Sequence, residues 1–302
     1  MKILVAGAGA VGGYFGGRLA EKGEDVTFLV REGRRNQLAG AGLSVQSVHG
    51  DFKLMPTTIV AGEYTAPYDV IILSVKAYHL EAAMESIEPY VGRETMILPL
   101  LNGMSHIDAL VDRFGENNVI GGLCFVESTL TSQGYVNQTS PIHDLVFGER
   151  TGEKTARILK LEEAFSGTKA NFILAENIVQ EMWHKYLFIT TLSGVTSLFR
   201  SPVGPIRENE TGLSSINNTL EETAAIMRKL GAPIARDIEV KQLEKLNSMG
   251  YEMKSSLQRD MEKELAVEAD HLYGFLLDKA KELNIETPML QIIYANLKIY
   301  ES

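Results

Sequence analysis

The chain opens Met1-Lys-Ile-Leu-Val-Ala-Gly-Ala-Gly-Ala-Val-Gly12, an apolar run that passes directly into a turn with glycine at positions 7, 9 and 12. No other stretch constrains the fold as much. Ile3 to Ala6 is too uniformly apolar for a half-solvated strand and suits one buried on both faces of a parallel sheet. In G-x-G-x-x-G spacing each glycine has its own task. The first lets the chain turn sharply, the second lets the backbone approach a pyrophosphate, and the third lets the next helix pack on the strand. Phosphates then face the free N–H groups of the helix N-terminus, where the macrodipole favours negative charge. Gly7, Ala8, Gly9, Ala10, Val11 and Gly12 are therefore expected to cradle a dinucleotide.

The flanking sequence supports that reading. Ala10 to Glu21 predicts a helix, with Val11, Tyr14, Phe15, Arg18 and Leu19 at helical spacing and Gly23 as a left-handed stop. Gly13, Gly16 and Gly17 are costly in a free helix and make sense if it lies close against a sheet or ligand. A second strand, Asp25 to Val30, ends where such folds contact the adenine ribose. An acidic residue there would bind the 2′-hydroxyl of NADH, but the chain has Arg31, suited to a 2′-phosphate. The expected cofactor is NADPH/NADP+, with Glu32 the one acid beside Arg31 that could present itself instead. At least one of Arg34 and Arg35 reads as part of a solvated loop.

Strand and helix patterns then alternate as in a doubly wound sheet. Asp69 to Val75 is a strand ending at Lys76, followed by a helix around 80–87. Thr95 to Leu101 is another, ending at Asn102-Gly103-Met104, before a helix near 107–114 and a strand at 119–126. Residues 134–136 and 144–147 look like shorter, irregular strands, and Phe172 to Ala175 like the last. Ligands in such sheets bind beyond the carboxyl ends of the strands, which makes Lys76 and Asn102 candidates for the cofactor crevice. From there helical periodicity takes over. The expected organisation is α/β plus all-α: a Rossmann-type doubly wound domain over 1–176 and a helical substrate domain over 177–302.

Composition closes off other classes. A length of 302 residues exceeds what one core usually serves, and 45% hydrophobic with 23% charged residues is ordinary for a globular protein. A net charge of −10 argues against nucleic acid or an anionic membrane as partner. Cys124, alone, allows no internal disulfide and reads as a core residue; no metal site is expected. No run approaches a membrane span, and the first strand starts at the N-terminus, so neither anchor nor signal peptide is expected and the location should be cytoplasmic.

Two helical stretches in the second half carry a charge inside an apolar stripe. Ile178, Met182, Lys185, Ile189 and Leu192 share one helix face, and Met261, Leu265, Glu268, Leu272 and Phe275 repeat the pattern. Charged residues are seldom buried without partners, and two such anomalies favour a shared site. The bland alternatives are an intrahelical pair of Lys185 with Glu181, and a carboxylate at the edge of a packing face.

With these residues in view the sequence resembles the ketopantoate reductases (2-dehydropantoate 2-reductases), NADPH-dependent enzymes of pantothenate synthesis. The shared motifs span nearly the whole chain: Gly-Ala-Gly-Ala-Val-Gly at 7–12, Arg31, Ser-Val-Lys-Ala at 74–77, Leu-Asn-Gly-Met at 101–104, Trp-His-Lys at 183–185, Ser-Ser-Leu-Gln-Arg-Asp at 255–260 and Glu268 before Tyr-Gly-Phe-Leu-Leu at 273–277. The resemblance implies that Lys185 donates a proton and that Asn102 lies between nicotinamide and substrate. It also implies that Ser256 holds the substrate carboxylate, that Glu268 contacts the cofactor and orients the catalytic groups, and that Lys76 lies near the cofactor. The implied partner is a small 2-oxo acid. The sequence does not give the oligomeric state, although the mostly helical second domain offers surfaces on which a homodimer could form.

The departures concern the substrate. One helical turn after the lysine, the family's ketopantoate-active members carry a substrate-binding asparagine, where this chain has Ile189. A second is replaced by Ser193, whose hydroxyl is counted as a substrate contact, and a third by Val203. Loss of a buried partner for a substrate hydroxyl changes preference by orders of magnitude, so a larger or more apolar 2-oxo acid is the alternative substrate. An NADPH sensor without chemistry is the other reading, and the presence of Lys185, Asn102, Ser256 and Glu268 argues against it.

Overall fold

In the computed structural model, which describes residues 1–63 and 66–302, the opening apolar run forms β1 (Lys2–Ala6), buried from Ile3 onward. Then follow α1 (Ala10–Lys22), β2 (Asp25–Leu29), α2 (Glu32–Ala41), β3 (Leu43–Ser47), β4 (Phe52–Leu54), β5 (Thr57–Ile59) and β6 (Val70–Leu73). The series continues with α3 (Leu80–Ile87), β7 (Met96–Pro99), α4 (Ser105–Phe114), β8 (Gly121–Leu130), β9 (Val136–Gly148), α5 (Ala156–Phe165) and β10 (Asn171–Leu174). One compact unit comprises Met1–Leu101 with His106–Val179, and a second comprises Asn102–Ser105 with Gln180–Ser302.

The first unit holds the expected doubly wound sheet, in the order β5-β2-β1-β6-β7, with every pairing parallel. Val70 to Leu73 is wholly buried, as a strand covered on both faces must be. Beside it stands a second sheet that the sequence pattern did not indicate: β10-β9-β3-β4, with β8 antiparallel to β9. Of the irregular strands expected at 134–136 and 144–147, the first retains only Val136 and the second lies wholly within β9, one strand of 13 residues. Pro141 breaks its alternation, and the β8–β9 register shifts between Val126 and Ser128, so the pattern reads as fragments.

α1 lies between the two sheets, and its glycines make this possible. A Cβ on Gly16 would stand 2.7 Å from Val5 and 2.9 Å from Phe28, on the parallel sheet. On Gly13 and Gly17 it would stand 2.9 Å from Val136 and 2.8 Å from Phe52, on the other side. Eight successive residues, Gly12 to Leu19, are buried. Among them Arg18 lies with its guanidinium over the rings of Tyr14 and Phe52, bonded to the Gly50 carbonyl and paired with Glu21. The left-handed stop at Gly23 is present, with φ of 105°.

The second unit is built from α6 (Ile178–Phe199, entering from the first unit), α7 (Val203–Glu208), α8 (Glu210–Lys229), α9 (Ile238–Ser248), α10 (Ser256–Glu262), a π-helical turn at Asp270–Gly274, α11 (Phe275–Glu282) and α12 (Pro288–Glu301). α6 is not the one-faced helix its stripe suggested. From Lys185 to Ser197 every residue except Ile189 is buried. Three of its hydroxyls bond back into the helix, Thr191 to the Leu187 carbonyl at 3.0 Å, Thr196 to that of Leu192 at 2.7 Å and Ser197 to that of Gly194 at 3.1 Å, while the buried Thr190 hydroxyl has no hydrogen-bond partner among the described residues.

The stripe through Glu268 is likewise no continuous helix. α10 ends at Glu262, where Glu264 takes φ of 56° and the Leu265 N–H reaches back to the Asp260 carbonyl at 2.9 Å. This is a Schellman stop built without glycine. It leaves Leu265 50% exposed and puts Glu268, half-buried, on the segment leading into the π-helical turn. No helix among the described residues is long and apolar enough to cross a membrane.

Candidate functional site

The glycine turn has the shape its spacing required. Gly7 has φ of 102°, and a Cβ there would overlap the carbonyl oxygen of Ser74, which follows the neighbouring strand β6. A Cβ on Gly12 would overlap the carbonyl oxygen of Gly7 itself. Gly9 differs, since nothing lies within 4 Å of where its Cβ would be. Gly9 is also the N-cap of α1, and no side chain caps that end. The first and third glycines are thus required by the protein's own packing, while the middle one faces open space beside the helix N-terminus. A pyrophosphate would fit this cradle.

Arg31 is exposed at the N-cap of α2, and Glu32, also exposed, is the first residue of that helix. Arg34 is no loop residue. It is half-buried on α2, with Nε donating to the Ala8 carbonyl at 3.2 Å and Nη1 to that of Gly134 at 3.0 Å. It therefore ties the glycine turn to the β8–β9 hairpin, while its Nη2 is buried with no hydrogen-bond partner. Arg35 pairs with Glu63 at 2.6 Å. Lys76 is half-buried three residues beyond β6, at the same carboxyl edge of the sheet as Gly7.

The remaining predicted residues fall in the second unit. Lys185, 7% exposed, lies on α6 between Met182 and Phe188, both buried. Ile189, half-buried, and Ser193, 4% exposed, follow at one-turn intervals. Val203, the first residue of α7, is fully buried, its N–H bonded to the Met253 carbonyl at 2.9 Å. Ser255 and Ser256 divide two tasks. Ser255 caps α10, accepting from the Gln258 N–H at 3.0 Å and bonding Thr196 at 2.8 Å. Ser256 is the exposed first residue of the helix, its hydroxyl not used as the cap. Asn102 belongs to the four-residue segment that folds with this unit.

Two residues escaped the sequence reading. Lys245 on α9 places its ammonium 4.3 Å from the centre of the Phe188 ring. Burial, then the nearby Lys185 charge, hold it below the ordinary lysine value, and Glu181 opposes them. His271 bonds the Asn102 backbone carbonyl at 2.6 Å. Lys245 reads as a solvated charge on an amphipathic helix and His271 as part of a packing face, so neither gave a signal. No group of His, Cys, Asp or Glu among the described residues could hold a metal ion.

A parallel sheet with a pyrophosphate cradle, joined to a helical unit centred on a buried lysine, defines a dinucleotide-dependent oxidoreductase. Comparison with known proteins makes this specific. Residues 3–152 match the model of the family described as ketopantoate reductase PanE/ApbA, and residues 177–301 match that of its C-terminal part. The chain belongs to this family. It is 47% identical to the oxidoreductase YkpB of Bacillus subtilis, described as uncharacterized, over 100% of this chain and 99% of that one. Among solved structures, a 2-dehydropantoate 2-reductase from Geobacter metallireducens is 28% identical with a TM-score of 0.89, covering 99% of each chain. A D-mandelate dehydrogenase with NADH and anilino(oxo)acetate reaches the same TM-score at 21% identity, over 100% of this chain and 98% of that one, and so shares the fold.

Proposed function

We propose that this chain reduces a 2-oxo acid to the 2-hydroxy acid with NADPH, 2-dehydropantoate being the first substrate to test. The observation that carries the reading is Lys185, a lysine only 7% exposed on the long helix that opens the second unit, near the Lys245 ammonium. A bound nicotinamide supplies the hydride to the keto carbon. Negative charge then builds on the carbonyl oxygen, where protonated Lys185 stabilises it and donates the proton. Asn102 orients the carbonyl, Ser256 takes the carboxylate with an exposed hydroxyl, and Glu268 orients Lys185 and contacts the cofactor. The cradle at Gly7 to Gly12 holds the pyrophosphate, and Lys76 adds charge at the same sheet edge. Arg31 selects the 2′-phosphate, having the bidentate donors that Glu32 lacks.

A second reading shares the chemistry but not the substrate. Ile189 and Ser193 stand one and two turns beyond Lys185, where a hydroxylated substrate would want amides. This favours a 2-oxo acid with an apolar or aromatic side chain. The experiment is to follow NADPH absorbance, and NADH in parallel, with 2-dehydropantoate and 2-oxo acids graded in size and polarity. Turnover of 2-dehydropantoate above the rest supports the first reading, and turnover of apolar acids above it supports the second. Oxidation with none of them overturns both.

A further inference from the structure

The π-helical turn Asp270–Gly274 is fastened to three parts of the second unit. Tyr186, next to Lys185, donates its hydroxyl to the Leu272 carbonyl at 2.6 Å, and Tyr273 donates to the Thr190 carbonyl at 2.8 Å. Both bonds are buried and clamp the turn to the part of α6 that carries Lys185. Asp270 in turn accepts from Tyr294 at 2.6 Å and Lys298 at 3.1 Å, both on α12. Turns of this kind break regular helical bonding and are frequent at functional sites.

What this register presents is His271. Its Nε2 is 2.6 Å from the Asn102 backbone oxygen and its Nδ1 is 3.0 Å from Ser105 Oγ. A carbonyl oxygen can only accept, so Nε2 carries the proton, and Nδ1 accepts from the serine hydroxyl. Burial holds His271 below the ordinary histidine value, as this neutral form requires; the Asn102 carbonyl and then Glu268 oppose it. Gly103, with φ of 81°, brings its backbone against the ring, where a Cβ would stand 3.0 Å from Nε2. One imidazole therefore grips both ends of Asn102–Ser105, and the turn that carries it grips α6.

We propose that His271 is a positioning residue, which acts through the Asn102 backbone to hold Asn102 in register with Lys185. The proposal rests on the roles given to those two residues above, and its test separates the two. Amide exchange over residues 102–105 needs no substrate, whereas turnover does. In His271→Phe, which keeps a ring and loses both hydrogen bonds, exchange of that segment speeds about tenfold or more. Its kcat falls by a similar factor, while KM and NADPH affinity stay within about threefold. His271→Gln, which keeps an N–H within reach of the Asn102 carbonyl, recovers most of both losses. Should the Phe variant not fold, Ser105→Ala, which removes only the donor to Nδ1, still speeds the exchange. Unchanged exchange in the folded variants, or a Gln variant as impaired as Phe, overturns the proposal. A wild-type protein that turns over no 2-oxo acid defeats the functional reading, and the exchange result still decides the role of His271.

Discussion

α1 and α6 are both deeply buried helices, and they become so by opposite means. α1 does so by omitting side chains: glycines at four positions let two sheets close on it, and the ligand cradle at its start is made of backbone. α6 does so by accommodating side chains, among them Lys185 and three hydroxyls that bond back into the helix. A backbone site fails when atoms are added to it and a side-chain site when atoms are removed. In the proposed function the first kind holds the cofactor, while the second sets chemistry and substrate.

The largest expected effect comes from removing atoms on α6. Lys185→Ala should lower kcat by about 10²- to 10⁴-fold, the usual share of a general acid. NADPH affinity and melting temperature should stay near those of the wild type, and stopped-flow turnover with fluorescence titration reads both. Unimpaired turnover would take Lys185 out of the mechanism. Next comes adding atoms on α1. Gly12→Ala drives a methyl into the Gly7 carbonyl and should cost about 3 kcal/mol of stability together with dinucleotide binding. Gly9→Ala should melt like the wild type and lose affinity alone, because its methyl enters only the space given to phosphate. If the two alanines behave alike, the contrast between packing glycine and ligand glycine is wrong.

A smaller change tests substrate preference within the side-chain site. Ile189→Asn should shift the kcat/KM ratio towards 2-dehydropantoate over an apolar 2-oxo acid by about 10- to 100-fold. An unaltered ratio would mean that this position does not face substrate. The weakest effect spans both helices' surroundings. His143 in the first unit, and His184 and His271 in the second, are all held below the ordinary histidine value, chiefly by burial. His49 and Arg18 add to the effect at His143 while Asp144 opposes it. Each takes up its proton more readily when unfolded, so stability should be full above about pH 6.5 and fall as pH drops towards the folded values. Melting curves across that range test the sign, and His143→Gln should flatten the slope.

How much of this was legible followed the same division. The glycine spacing, the left-handed stop at Gly23 and the alternation of buried strands with helices could be read directly, because steric requirements leave few alternatives. The close approach implied by Gly13, Gly16 and Gly17 was legible too, but that two sheets supply it was not. The strands of the second sheet are short or interrupted by Pro141, and their partners lie far away in sequence. Glu268 was picked out by helical spacing that the chain does not follow. The stop after Glu262 contains neither glycine nor proline and is made by Glu264 in a conformation nothing in the sequence announces. His271 was invisible because its task depends on a backbone carbonyl 169 residues away.

The glycines of α1 also bear on how the first unit comes into existence. With Gly12, Gly13, Gly16 and Gly17 in a helix of 13 residues, intrinsic helical preference is poor and nucleation unfavourable, so the isolated segment 10–22 should show almost no helix in water. The helix behind the glycine turn can then form only as the strands on either side collapse onto it. A chain cut short before β9 lacks Val136 and one wall of that slot, and it should emerge from the ribosome without a cofactor site.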